Sequence, residues 1–391
     1  MDGSRFIPDI GLPSTVSSIS VGDTNSAAPS LTSAPVPLSN AGKFTYAIAQ
    51  GNNIIFGNES TSQIIAALPN EKPIIQLLAD REAIYAIHSD GNIHALDHSG
   101  KIIWQYRTSE FDESDPHSIL TKNSLIAEAD TGIIAIDLLS GKKTWSCQTV
   151  FPPHNIIYDS KSKLLIAAIS FDGDAFAWGD SIYNRATDSI LCINSEGIVK
   201  SRIGFPKTRI ISNLSICGKD KNLIAFGYLL SPSAGEMRTI HIGVFSGIET
   251  GSAKKLSDHE LTYLPTQVCS NGPLVLASGF YGSGSNLESG IDAFYADDII
   301  KLWQRRFTYP LVTPIAINNK YAYFHLSFSA QAIVPAKSIF YTLELTTGKT
   351  VVELPIAGAE NGFRISTPMP LAEQTLILAD AIRPVIYFLK P

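Results

Sequence analysis

The sequence predicts an all-β chain folded as a β-propeller of about eight four-stranded blades. Three observations predict it. Apolar runs of four to seven residues, rich in Ile, Leu, Val, Phe and Tyr, alternate with Gly, Asn, Asp, Ser and Pro from residue 43 onward. No segment holds a 3.6-residue apolar period for three turns, so strands rather than helices are expected. A single tile of sequence also recurs at a spacing of roughly 40–55 residues, the period of one propeller blade.

Residues 1–42 are dominated by Ser, Thr, Pro, Gly and Ala and show little periodicity. They read as a tether or disordered N-terminal segment, of the kind that follows a removed leader or a lipidated cysteine. Residues 43–391 read as a single propeller domain. Within it SQIIAALPNEKP (62–73) reads as a degenerate first copy of the tile. IIQLLA (74–79) and AIYAIHS (83–89) then lead into the clearest copy, DGNIHALDHSGKIIWQ (90–105). TGIIAIDLLSGKKTW (131–145) repeats it: Asp97 matches Asp137, Gly100 matches Gly141, and Trp104 matches Trp145. DSILCINSEGIVKSRI (188–203) keeps the strand and the Gly turn, and TIHIGVFSGIETGSAKKL (239–256) keeps a Gly turn. SGIDAFYADDIIKLWQ (289–304) keeps Asp297 and Trp303 but loses the Gly. TPIAI (313–317) and YAYFHLS (321–327) precede SIFYTLELTTGKTVVEL (338–354), and PVIYFLKP (384–391) is a strand alone.

The turn chemistry fits these hairpins. Gly at the corner accepts positive φ without a Cβ clash. The Asp before it can accept hydrogen bonds from the turn backbone. The Trp falls on the outer strand, where its ring can cover the seam to the next sheet. Eight copies suggest eight blades. The first follows the second closely, which leaves a seven-bladed ring open. The C-terminal unit lacks a fourth strand, and an N-terminal segment is expected to supply it.

The tiles GNIHALDHSGKIIW and GIIAIDLLSGKKTW resemble the PQQ-like repeat, a variety of propeller blade. The resemblance covers about 43–391 and is strong in two or three tiles. It implies one of two branches. Quinoprotein dehydrogenases hold a quinone on the axis, with adjacent cysteines and a calcium carboxylate. Non-catalytic propellers, BamB-like in architecture, lack that equipment. No two cysteines are neighbours here, which points to the non-catalytic branch and to no PQQ.

Composition narrows the function further. The net charge is −6, the pI is near 5.8, and charged residues are only 17% of the chain. Lys never clusters along the sequence, so nucleic acid is a poor partner. No stretch approaches 18 consecutive apolar residues, so no transmembrane helix is expected. Cys147, Cys192, Cys217 and Cys269 are far apart and form no CxxC. They read as small apolar strand residues, with one long-range disulfide left open.

Catalytic motifs are absent: no GxSxG, HExxH or Walker loop occurs. GFYGSGSN (279–286) is Gly-rich but joins two strands, whereas a phosphate cradle needs a following helix. The eight histidines (His88, His94, His98, His117, His154, His241, His259 and His325) show no converging spacing and read as structural. Asp172, Asp174 and Asp180 in FDGDAFAWGDSIYNR (171–185) are weak calcium candidates, because hard oxygen ligands share one loop but no Glu closes the set.

The connection between second and third strands is short in blades 2 and 3 and long in blades 4 to 7, at roughly 171–187, 228–238, 279–289 and 327–337. Equivalent loops emerge on one face, and insertions on a repeat scaffold mark its binding side. The candidate binding residues on this wall are Asp172, Asp174, Trp178, Asp180, Tyr183, Tyr228, Tyr281, Asn286, Glu288 and Phe328, with Met237 among them. The expected function is a protein-interaction or glycan- and ligand-binding scaffold in a bacterial periplasm or at a cell surface. The alternative is a propeller enzyme: a quinone-dependent oxidoreductase, or a hydrolase or lyase acting on sugars.

Overall fold

A computed structural model of the chain describes residues 12–21, 31–39, 42–69, 72–108, 118–129, 132–149, 153–169, 188–205, 208–220, 223–230, 239–248, 250–281, 288–307, 315–327, 338–356, 368–370, 375–380 and 384–390. Every regular element among them is a strand, and the strands make eight antiparallel sheets, the blades of a β-propeller. An N-terminal strand, β1 (Thr15–Ser20), precedes the first blade. Blade 1 is β2 (Val36–Pro37), β3 (Tyr46–Gln50), β4 (Asn53–Gly57) and β5 (Ser62–Ala67). Blade 2 is β6 (Ile74–Ala79), β7 (Ile84–His88), β8 (Asn92–Leu96) and β9 (Ile102–Arg107). Blade 3 is β10 (Ile119–Leu120), β11 (Ser124–Ala129), β12 (Gly132–Asp137) and β13 (Lys143–Gln148). Blade 4 is β14 (Pro153–Asp159), β15 (Leu164–Ile169), β16 (Asp188–Ile193) and β17 (Val199–Phe205).

Blade 5 splits its first strand into β18 (Thr208–Ile210) and β19 (Ser215–Cys217), both paired to β20 (Leu223–Leu230). β21 (Thr239–Ser246) and β22 (Lys254–Leu261) complete it. Blade 6 is β23 (Leu264–Ser270), β24 (Leu274–Tyr281), β25 (Glu288–Tyr295) and β26 (Lys301–Phe307). Blade 7 is β27 (Ala316–Ile317), β28 (Tyr321–Ser327), β29 (Ser338–Glu344) and β30 (Thr350–Pro355). Blade 8 is β31 (Met369–Pro370), β32 (Leu376–Asp380) and β33 (Val385–Lys390), with β1 as its fourth strand.

Two sequence readings are corrected. Ser62–Ala67 is the fourth strand of blade 1, not a copy of the third, because β4 already fills the third position. Blade 1 is therefore complete, and the count is eight. The segment expected as a tether also carries structure: β1 pairs with β33 from Thr15↔Lys390 to Ser20↔Val385, and β2 opens blade 1. That pairing covers an edge that β33 would otherwise leave exposed. It is the N-terminal closure that the strand count anticipates.

The blades fall into two compact units. Blades 3–6 form one, joined by the turn residues 346–348; blades 1, 2, 7 and 8 form the other. Within each, facing sheets bury continuous apolar seams. Ile157, Ile166, Ile190, Phe226 and Phe245 meet between blades 4 and 5. Ala47, Ile54, Phe56, Ile84 and Leu96 meet between blades 1 and 2. A fully buried Ile or Phe contributes about 1.5–3 kcal/mol, so these seams outweigh any hairpin contact. All four cysteines are buried and free.

Blades 1 to 7 each carry a bulge at one place in the third-to-fourth strand pairing, at Ala95/Leu96 in blade 2 and Ala135/Ile136 in blade 3. The tile Trp sits opposite that bulge. A Cβ on Gly197 would lie 2.7 Å from the Trp145 ring, and one on Gly348 would lie 2.6 Å from Trp303. Both glycines also adopt positive φ (79° and 66°). The seam role expected for the Trp holds there. Where the Trp is missing, the contact is rebuilt. Ser201 and Ser257 take its place in blades 4 and 5. Their hydroxyls bond the next turn, at Ile248 O (2.7 Å) and Asp298 O, and Ile248 and Ile299 fill the space. Ile299 even adopts φ 52° to do so.

Candidate binding face at the second-to-third strand hairpins

The long connections do join second to third strands. They run between β15 and β16, β20 and β21, β24 and β25, and β28 and β29. Most of each lies outside the described residues. So do Asp172, Asp174, Trp178, Asp180, Tyr183, Met237, Asn286 and Phe328, and with them the calcium candidates. Of Tyr281, only the backbone in β24 is described. Tyr228 and Glu288 are strand residues, not loop residues as the sequence suggests, because the strands run further than the apolar pattern shows.

That extension shows in the strand register. From the bulge back to the start of the third strand is three residue steps in blades 2 and 3 (Ala95 to Asn92, Ala135 to Gly132). Among the described residues it is at least four in blade 4 (Cys192 to Asp188), five in blade 5 (Val244 to Thr239), five in blade 6 (Ala293 to Glu288) and four in blade 7 (Thr342 to Ser338). At about 3.3 Å per residue the hairpin stems of blades 5 and 6 reach roughly 7 Å beyond those of blades 2 and 3.

The blade 5 stem carries a polar cluster. Tyr228 and His241 face one another in register and stack, with centroids 5.3 Å apart and planes at 12°. Gly243 leaves them room: a Cβ there would come within 2.8 Å of the Tyr228 ring. Asp258 Oδ2 accepts the Tyr228 hydroxyl at 2.7 Å and the Lys255 ammonium at 3.0 Å, with His241 Nδ1 at 3.3 Å. His241 Nε2 lies 2.8 Å from Thr239 Oγ1. Burial pushes the Asp258 carboxyl up, but the bonds from Tyr228 and Lys255 outweigh it and hold it below the usual range. Burial, then the bond to Asp258, push the Tyr228 phenol well up. One carboxylate oxygen thus accepts two hydrogen bonds, and the His241 ring lies beside it with Nδ1 outside that bonding. The Tyr228 and Lys255 bonds to Asp258 brace the hairpin stem. Sequence reasoning reached Tyr228 and His241 but not Asp258 or Lys255, whose partnership depends on a cross-strand diagonal that no local motif records.

A second pair lies at the corresponding end of blade 2. His88 Nδ1 is 2.9 Å from Lys72 O, and His94 Nδ1 is 3.2 Å from His88 Nε2. Both rings are buried, and burial holds both below the ordinary imidazole range. His325 is fully buried, is bonded to Ser338, and is driven by burial down to about 3. Burial thus favours the neutral ring at His88, His94 and His325. Among the described residues no three His, Cys, Asp or Glu gather as a metal set. The four cysteines lie in four different strands, so the adjacent pair that a quinoprotein site would need is not there.

No family model and no curated protein matches the chain. Solved structures do match in fold. The computationally designed protein Ika8 aligns over 95% of this chain and 99% of its own, with a TM-score of 0.61 and 12% identity. The quinohemoprotein alcohol dehydrogenase ADHIIG from Pseudomonas putida HK5 aligns over 99% and 78%, with a TM-score of 0.59 and 9% identity. BamB from Moraxella catarrhalis aligns over 92% and 85%, with a TM-score of 0.42 and 12% identity, too loosely to separate the branches. These likenesses establish a propeller fold shared with quinoproteins and leave the activity to the site itself.

Proposed function

We propose that the chain is a non-catalytic propeller that binds a protein or glycan through the hairpin ends of blades 4–6, in a bacterial extracytoplasmic compartment. The lengthening of the third strand in these blades, relative to blades 2 and 3, carries this reading. Blades 4, 5 and 6 lengthen the same connection, and their third strands pair at least one to two residues further from the bulge than those of blades 2 and 3. A rigid scaffold that raises its loops on one side is built to present them. The Tyr228–Asp258 hydrogen bond braces the blade 5 stem beneath that loop.

The test replaces 171–187, 231–238 and 282–287 one at a time by short Gly-Ser turns. Each variant should keep the parent thermal midpoint and lose retention on a glycan array or on a cross-linked partner. A dye-linked dehydrogenase assay with added PQQ and Ca²⁺ is run on the parent. Saturable turnover would overturn the reading in favour of an oxidoreductase, and undiminished binding in all three variants would overturn the assigned face.

A further inference from the structure

A cleft of about 60 Å³ opens between blades 3 and 4, beside the first-to-second and third-to-fourth strand turns. It belongs to the opposite ends of these strands from the hairpins above. Trp145 and Tyr158 line it, with Ile126 and Leu165 as apolar wall and Lys163 and Ser195 at its margin. By the volume one water needs, it holds roughly four, the size of a small organic acid.

Two observations make it more than a gap between sheets. Lys163 is one of two non-glycine residues with positive φ among the described residues, at 59°. The other, Ile299, is buried and fills a seam, whereas the Lys163 side chain is exposed and fills nothing. A turn position of this kind favours Gly or Asn, so a lysine there retains backbone strain with no packing in return. Lys163 also makes no ion pair or side-chain hydrogen bond among the described residues, and neither does the Tyr158 hydroxyl.

We propose that this cleft binds a small monocarboxylate. One ammonium without a partner balances one negative charge. The phenol supplies a second donor, and the aromatic and aliphatic walls accept a planar group with a short apolar tail. A phosphate would ask for more charge or for converging backbone N–H groups, which the wall does not offer.

The experiment follows the Trp145 indole N–H resonance, assigned through Trp145→Phe, during titration with sodium butyrate, butyramide and sodium phosphate at constant ionic strength. Butyrate should shift it saturably and bind at least about tenfold more tightly than butyramide or phosphate. Lys163→Gly and Lys163→Asn, which suit the left-handed backbone, should abolish the shift while the thermal midpoint stays level or rises. Persistence of the butyrate response in both variants, no saturation at tens of millimolar, or an equal response to phosphate would each overturn the proposal.

Discussion

At the scale of single residues, the seams show the repeat correcting its own departures. The Trp–Gly contact of blades 3 and 4 becomes a Ser–Ile contact in blades 4 and 5 and again in blades 5 and 6. Ile299→Gly relieves a β-branched residue from φ 52° but empties a buried site. The cavity dominates, so a loss of about 2 kcal/mol is expected in urea unfolding. Adding Ser257→Trp should recover much of it, because the pair then matches Trp145 and Gly197; strict additivity in the double-mutant cycle would refute the coupling. Asp292 offers a separate test. It is buried between blades 5 and 6, and burial pushes its carboxyl up to about 6 despite Lys301 at 3.9 Å. A folded value above the unfolded one means that the favourable contribution is complete at about pH 4 and lost as pH rises through 6. Asp292→Asn should therefore match the parent near pH 3.5 and gain on it by about 2–3 kcal/mol at pH 7. A stability difference that stays flat across that range would show that the carboxyl is not raised.

At the scale of elements, β1 is the strand with the largest consequence for its size. Six residues of mixed Ser and apolar character cover the whole length of β33. Deleting residues 1–20 should lower the thermal midpoint and cause concentration-dependent light scattering, since β33 becomes an open edge. An unchanged midpoint would mean that the closure is dispensable. This strand was visible in the sequence only as a missing partner. Its own text, TVSSIS, lies in a polar segment, and its pairing partner is more than 360 residues away. The middle tiles were legible because their turn chemistry is local: Asp97 accepts Ser99 N at 2.8 Å and Lys101 N at 3.0 Å, all within five residues. Blade 1 was misaligned for the same reason. Its hairpin uses Asn58, which caps Ser60 N and Thr61 N, so no Ser-Gly-Lys marks the corner, and Ala66 stands where the Trp would be. The candidate face was legible as loop length. The two extra steps of strand in blades 5 and 6, and the Asp258 brace, needed cross-strand register.

At the scale of the whole molecule, no covalent link is needed to explain how the sheets hold together. Cys147, Cys192, Cys217 and Cys269 sit in β13, β16, β19 and β23, each free and buried, and all in the unit of blades 3–6. Burial pushes the Cys147 and Cys217 thiols up, Cys217 furthest, so little reactive thiolate exists at either in the folded chain. Stability rests on apolar seams, and seams do not respond to redox poise. Two consequences separate this from a disulfide-stapled fold. Excess dithiothreitol should leave the thermal midpoint unchanged, where loss of a structural disulfide would cost about 2–5 kcal/mol. Ellman's reagent should react slowly with the native chain and with all four thiols in urea, the rate following the opening of blades 3–6 rather than the reagent concentration. Rapid native labelling of any one thiol would place that cysteine at the surface. A midpoint that falls on reduction would mean that the seams alone do not suffice.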